Sequence, residues 1–297
     1  MALPHWVEFF DELEHVRGRS LNTVQAYRRD LEMFDEFMLK HKDLRDIYQF
    51  LNKKKLSARS QARVISSIRT YYRFLHTRGE KIPDLSTLRP PRVATHVPEV
   101  LSYEDFQKLY AACVVEDPMK SARNQITLLL LFGLGCRVTE LITLNLQDFF
   151  ETEGWLKVLG KGNKERIIPL TQQLQTELKI YIDQVRPHLC KENTHAILVN
   201  DRGHRPSRVD IWRWLDSWSK KAGFADTINP HKFRHGCATA LLDAGADLRS
   251  IQKLLGHSSI QTTQIYTTVS TGKMRDTLDE HHPLSELKKD PPVGSDI

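Results

Sequence analysis

The stretch LRPPRVATHVPEVL, residues 88–101, decides how this chain is organised. Its three prolines, Pro90, Pro91 and Pro98, remove backbone donors and push the residues before them out of the helical region. The segment therefore reads as an extended linker, with Arg89 and Arg92 exposed. A length of 297 residues, at about 100–200 per domain, fits two domains. The division expected is a helical domain over 1–88, a linker over 89–101, a second domain over 102–283, and a tail over 284–297. In that tail, SELKKDPPVGSDI shows no apolar period and is expected to fray from Leu284 onward.

Upstream of the linker the pattern is helical throughout. Ser20 can cap a helix whose apolar residues Val24, Tyr27, Leu31, Phe34 and Met38 recur every three or four positions. Between Asp46 and Glu80 there is no acid, but there are eight bases: Lys53, Lys54, Lys55, Arg59, Arg63, Arg69, Arg73 and Arg78. At about 100° per residue, Lys55, Arg59, Arg63, Arg69 and Arg73 fall on about one third of a helix surface. Val64, Ile65, Ile68, Tyr71, Tyr72 and Leu75 fall opposite. One face packs and the other is a stripe of one sign. A stripe of mutually repelling charges suits contact with a polyanion better than a merely solvated surface.

Downstream, Ser102 and Asp105 have capping-box spacing ahead of Phe106, Leu109 and Tyr110. A buried helix runs through ITLLLLFGLG. Trp155–Leu159 and Ile167–Leu170 are β-prone runs around the turn-forming GKGNKE, which predicts a hairpin. Ser207 can cap a helix with Ile211, Leu215 and Trp218 on one face, stopped at Gly223. Residues 226–230 read as a loop, with further helices after it. The second domain is thus mostly helical with a small sheet.

Composition narrows the function. Lys and Arg total 43 against 37 Asp and Glu, a formal charge of +6 with a pI near 9.1, which disfavours an acidic binding module. Hydrophobic residues at 40% and charged residues at 27% support a packed core. The longest nearly apolar stretch, Ile126 to Cys136, is too short for a bilayer, which needs about 20 residues, so no membrane partner is expected. The early acids of MALPHWVEFFDELEH do not read as a signal peptide. Cys113, Cys136, Cys190 and Cys237 are far apart and form no CxxC pair, which predicts a reduced, cytoplasmic protein without a zinc ribbon.

Phosphodiester chemistry would need a nucleophile, cations for the non-bridging oxygens, and an acid for the leaving oxygen. NPHKFRHGCAT puts His231 and Arg234 three apart at a helix start, on one face and beside backbone donors that favour an anion; capping and surface charge are the bland alternative. In LLGHSSIQTTQIY, Gly256 ends one helix, His257 follows it, Ser258 or Ser259 can begin the next, and Tyr266 lies nine residues beyond His257. A lone tyrosine is more often core. Arg137 lies among apolar residues, where burial without a partner is costly; an ion pair with Glu140 is the structural alternative. Lys161, between Gly160 and Gly162 at the hairpin tip, could be merely solvated or could reach a ligand. His231 and His235 do not form HExxH, because residue 232 is Lys, so no metal is expected. GxSxG, GxxxxGK[ST] and GxGxxG do not occur.

Taken in order, Arg137, Lys161, His231, Arg234, His257 and Tyr266 resemble the tyrosine site-specific recombinases, the phage-integrase family. The strings CRVTELITL, GKGNKERIIPL, PHKFRHGCAT, GADLRSIQKLLGH and TTQIYT, with TVQAYRRDL upstream, look like its Xer branch and span nearly the whole chain. The resemblance implies a mainly α fold of two domains, a helical core-binding domain of the SAM-like type and a mostly helical catalytic domain with a small antiparallel sheet, forming a C-shaped clamp around DNA.

It also implies the chemistry. Tyr266 would attack phosphorus and form a 3′-phosphotyrosyl link, Arg137 and Arg234 would clamp the non-bridging oxygens, and His257 would add a hydrogen bond to them. His231 would assist proton transfer at the nucleophile, and Lys161 would protonate the departing 5′ oxygen. The phosphotyrosyl link conserves the energy of the broken bond, so no cofactor, ATP or metal, is implied. Recombination would pass through a Holliday junction and resolve chromosome dimers at a dif-like terminus site for segregation at cell division. The implied partners are a double-stranded DNA recombination site, with Lys55, Arg59, Arg63, Arg69 and Arg73 as DNA-binding candidates, and a homo- or hetero-tetramer with a paralogous Xer recombinase. An FtsK-like DNA translocase is a further implied partner. Leu134, Cys136 and Thr268 depart from the commonest pattern, and HHP at 281–283 resembles a swapped helix that docks on a neighbouring subunit. An integrase of a phage or mobile element is the alternative with the same chemistry; a DNA-binding protein without catalysis is the alternative from another class.

Overall fold

The computed structural model describes residues 3–18, 21–41, 43–91, 100–160, 164–191, 194–243, 245–255, 278, 282 and 284. The chain divides into two compact units, Met1–Val97 and Pro98–Ile297, each with its own hydrophobic core.

The first unit is helical throughout its described residues. It contains α1 (Trp6–Asp11), continued by a π-turn over Glu12–Val16, then α2 (Leu21–Lys40), α3 (Ile47–Lys53) and α4 (Ala58–Thr77). Ser57 caps α4 by accepting from Ser60 N at 3.2 Å. The apolar face expected for α4 is the one that packs: Val64, Ile65, Ile68, Tyr71, Tyr72 and Leu75 are buried against Val24, Leu31, Phe34 and Phe37 of α2. Phe9 closes the cluster edge-on to Tyr71, with centroids 5.3 Å apart. Ser20, expected as the cap of α2, lies outside the described residues.

The second unit is built around α6 (Pro118–Leu134). Asp117 caps it by accepting from Met119 N and Lys120 N, and most of its residues are buried. α5 (Tyr103–Ala112), capped by Ser102 as its spacing predicts, stacks Phe106 on Phe132 with centroids 4.5 Å apart. α7 (Val138–Thr143) leads into a three-stranded antiparallel sheet in the order β1 (Phe149–Phe150), β2 (Trp155–Leu159), β3 (Glu165–Pro169). The second strand of the expected hairpin begins two residues earlier than the β-prone run suggests. Leu159 pairs with Glu165, and Gly160 N donates to Lys164 O at 2.7 Å, so the turn is shorter than GKGNKE. Then follow α8 (Gln172–Ile180), a π-turn, α9 (Arg186–Leu189), α10 (Arg208–Lys221), α11 (Pro230–Asp243) and α12 (Leu248–Leu255). α10 starts at the expected Ser207 cap, and Gly223 after it has φ +81°.

Two expectations about the ends of segments are corrected. Leu101, placed in the linker, is a core residue of the second unit, while Leu88, placed at the end of the first domain, is buried in the core of the first. Each is an apolar anchor, and Arg69 Nη1 also holds the Leu88 carbonyl at 2.8 Å. Arg89 is exposed, and Arg92 lies outside the described residues. Leu284, expected to begin a fraying tail, is 1% exposed and in van der Waals range of Gly133. Leu278 and His282 are buried in the same core.

Candidate active site

The site forms where the end of α6, the start of α7, β3, and the ends of α11 and α12 converge. The turn from α6 into α7 depends on Gly135, at φ +52°. A Cβ there would lie 2.6 Å from Leu255 Cδ2 and 3.2 Å from Cys237 Sγ, so α12 and α11 approach the backbone as closely as they do only because residue 135 has no side chain. This approach lets Arg234 of α11 donate through Nη1 to Gly135 O at 2.9 Å and through Nη2 to Leu255 O.

Arg137 is the N-cap residue of α7. Its backbone N donates to Glu140 Oε2 at 2.8 Å and its Nη1 to Glu140 Oε1 at 2.9 Å. Arg166 reaches the same carboxylate from β3, Nη1 to Oε1 at 3.0 Å and Nη2 to Oε2 at 2.8 Å, while its Nε donates to Leu254 O at 3.0 Å. Glu140 is 2% exposed, and each of its oxygens accepts two bonds. Burial opposes its ionisation, but Arg166 and Arg137 outweigh that and hold the carboxyl below its ordinary value.

Arg137 and Arg166 thus share the Glu140 carboxylate, and Arg234 lies near enough to feel its charge, so that among the described residues three guanidiniums face this one carboxylate. Burial first, and then repulsion from Arg137, push Arg234 down to about 10, still protonated at neutral pH. Arg137 remains 35% exposed, with one guanidinium nitrogen on Glu140 among the described contacts. A buried arginine beside a part-exposed one, both with donors and too little counter-charge, makes a receptor for a doubly contacted anion. The neighbouring thiols do not compete, since burial raises Cys136 and Cys237 to about 12 and keeps them protonated.

The sequence candidates fare differently. Arg137 and Arg234 come together, and the ion pair offered as a structural alternative for Arg137 is present as well. His231 lies exposed in the first turn of α11. Asn229 Oδ1 takes the amides of His231 and Lys232, so those two donors are already used. Lys161, His257 and Tyr266, together with Gly162, Gly256, Ser258, Ser259, Thr268, His281 and Pro283, lie outside the described residues. The chain does enter the hairpin tip at Gly160, whose Cβ position is 3.6 Å from Glu140 Oε1, and it leaves α12 at Leu255, two residues before His257.

Arg166, within GKGNKERIIPL, is a site residue that the sequence candidates do not include. Its signal was register: it alternates in β3 with Ile167 and faces inward with Ile168, where a charge needs a partner.

In the first unit, Lys55 is not on the α4 stripe. It sits in the turn before the helix at φ +55°. Arg63 is tied to Asp30, which is buried and also accepts from Ser67 Oγ at 2.8 Å. Arg69 holds Leu88 O. Arg59 and Arg73 remain exposed. A second basic surface was missed: α10 turns Arg208, Val209, Trp212 and Arg213 to solvent on one side. Among the described residues no cluster suits a metal ion, and no helix is long and apolar enough to cross a membrane.

A mostly helical unit with a small sheet thus gathers Arg137, Arg166 and Arg234 around Glu140, an arrangement suited to a phosphate ester. The phage integrase family model matches residues 99–273, and the phage integrase N-terminal SAM-like domain matches residues 7–79. The tyrosine recombinase XerD of Listeria monocytogenes serotype 4b (strain F2365) is 37% identical over 281 residues, 90% of this chain and 94% of that protein. XerD of Oceanobacillus iheyensis is 37% identical over 290 residues, covering 93% and 97%. Among solved structures, a XerH site-specific recombinase bound to a palindromic difH substrate has the same fold at TM-score 0.65 and 21% identity, covering 89% of this chain and 81% of that one. A lambda integrase dimer bound to a COC′ core site matches at TM-score 0.67 and 19% identity, covering 90% and 100%. The chain belongs to the phage integrase family and is an Xer-type tyrosine recombinase, an enzyme that cleaves and rejoins DNA.

Proposed function

We propose that this recombinase resolves chromosome dimers at a dif-like terminus site, in the cytoplasm, as a tetramer that includes a paralogous Xer recombinase, with an FtsK-like translocase as activator. In each reaction Tyr266 Oη attacks the scissile phosphorus while the bond to the 5′ oxygen breaks. His231 takes the tyrosine proton, and Lys161 gives one to the departing 5′ oxygen. Arg137, Arg234 and His257 stabilise the charge gathering on the non-bridging oxygens. The freed 5′-hydroxyl of a partner strand then reverses the step, and two such exchanges make and resolve a Holliday junction.

Residues 1–88 serve as the core-binding domain and residues 102–283 as the catalytic domain. Arg59 and Arg73 of the first and Arg208 and Arg213 of the second contact DNA phosphates.

The observation that carries this reading is the convergence of Arg137 and Arg234 beside Glu140, with Arg234 buried and facing, among the described residues, no other carboxylate. The test is a nicked terminus-site duplex whose freed fragment diffuses away, so that any covalent adduct accumulates. Wild type should give an adduct that survives denaturation and Tyr266→Phe none. An adduct retained by Tyr266→Phe would overturn the assignment of the nucleophile.

A further inference from the structure

We infer that Arg166 is a positioning residue for strand cleavage, one that holds Arg137 in place through Glu140. The inference rests on the active-site reading above, and it concerns a residue that reading leaves without a role.

Arg166 is 8% exposed and spends all three guanidinium nitrogens on protein. Two of them fork onto Glu140, 26 residues earlier, and Glu140 in turn holds both the backbone N and Nη1 of Arg137. The third reaches Leu254 O in the last turn of α12, 88 residues later and three residues before His257. Gly160, which opens the turn carrying Lys161, has its Cβ position 3.4 Å from Arg166 Nη1.

One planar group therefore ties β3 to Glu140 of α7 and to the last turn of α12, segments remote from it in sequence. A lysine could not do the same, because a single ammonium lacks the fixed fork that serves a carboxylate bidentately and a carbonyl on a third side. Arg166 is also too enclosed and too fully bonded to clamp a phosphate itself. Its effect on the reaction must pass through the residues it holds, above all Arg137.

That dependence can be measured in the nicked-site assay with the full-length protein. Arg166→Lys and Arg166→Met should form the covalent adduct about 100-fold more slowly than wild type, the scale of loss expected from a misplacement of about 1 Å. Affinity for the site should stay within about 3-fold. With a methylphosphonate at the scissile position one non-bridging oxygen charge is gone, and a well-placed arginine matters less. On that substrate the deficit of both variants should shrink to under about 10-fold, as it should for Arg137→Ala. Arg137→Ala combined with Arg166→Met should be no slower on ordinary phosphate than Arg137→Ala alone, because the two act as a unit.

Equal losses on both substrates, multiplying losses in the double variant, or wild-type rates in Arg166→Lys would overturn the inference. Arg166→Lys keeps a cation beside Glu140, so the fork is tested even where the Met variant unfolds. Absence of an adduct with wild type, or its presence with Tyr266→Phe, would instead count against the active-site reading.

Discussion

Arg137 and Arg166 share one acceptor: Oε1 of Glu140 takes Nη1 of the first at 2.9 Å and Nη1 of the second at 3.0 Å. Two cations brought this close are tolerable only because the carboxylate between them is ionised.

Glu140→Gln should therefore be strongly destabilising, although it preserves shape. It leaves two guanidiniums facing each other, and loss of one partner of a buried ionic cluster costs about 3–5 kcal/mol. Four of the five tryptophans, Trp155, Trp212, Trp214 and Trp218, lie in the second unit, so urea unfolding followed by their fluorescence should show its midpoint fall. The pH dependence has a definite sign. The folded-state carboxyl is held below its ordinary 4.5, so its contribution is complete above that value and is lost as pH falls through the lowered one.

His282 should add a second acid-sensitive increment. Burial pushes it down to about 4 from an ordinary 6.5. Its Nδ1 accepts from Leu284 N at 3.1 Å, so a proton on Nδ1 would set donor against donor. The folded state refuses a proton that the unfolded chain takes, so stability is full above about 6.5 and declines down to about 4, by about 3 kcal/mol in all. Thermal melts across this range should show that decline in wild type, and His282→Gln should lack this part of it.

Gly135→Ala should harm both stability and catalysis, whereas Gly223→Ala should cost only the backbone term. Both have positive φ, which costs a residue with a Cβ about 1–2 kcal/mol, but the space around Gly223 is open while Gly135 would meet Leu255 Cδ2. Displacing Leu255 moves a carbonyl that Arg234 holds. The checks are the melting temperature, lowered about twice as far in Gly135→Ala, and adduct formation, slowed about 10-fold or more in that variant alone.

The α4 arginines should separate into two kinds. Arg59→Ala and Arg73→Ala should leave the fold unchanged and each reduce the slope of log affinity against log salt by about 1. Arg63→Ala should also strand the buried Asp30, at a cost of about 1–3 kcal/mol. Hydrogen exchange in α2 and α4, measured beside salt-dependent binding, distinguishes the two behaviours.

The sequence by itself located several of the helices and the faces they bury, because periodicity and capping residues act over a few residues. Val64 through Leu75 packed as their spacing required, and the Ser102 and Ser207 caps rest on contacts three residues long. Order along the chain, through its resemblance to a family, put Arg137, Lys161, His231, Arg234, His257 and Tyr266 in one set, of which the structure brings Arg137 and Arg234 near each other.

What only the tertiary structure decided is who faces whom. The helical wheel put Lys55 and Arg63 in one stripe, yet a left-handed turn removes the first and Asp30 of another helix claims the second. Arg166 looked like one more base in a basic string, until packing placed it between Glu140 and Leu254. His282 lies near the end of the second domain, and the core around Phe132 and Cys237 holds it. Apart from the local turn at Lys55, these outcomes depend on contacts between residues 26 to 88 positions apart, and local propensity carries no information about such pairs. They arise because a buried charge or polar ring must find its counterpart wherever the packed elements bring one.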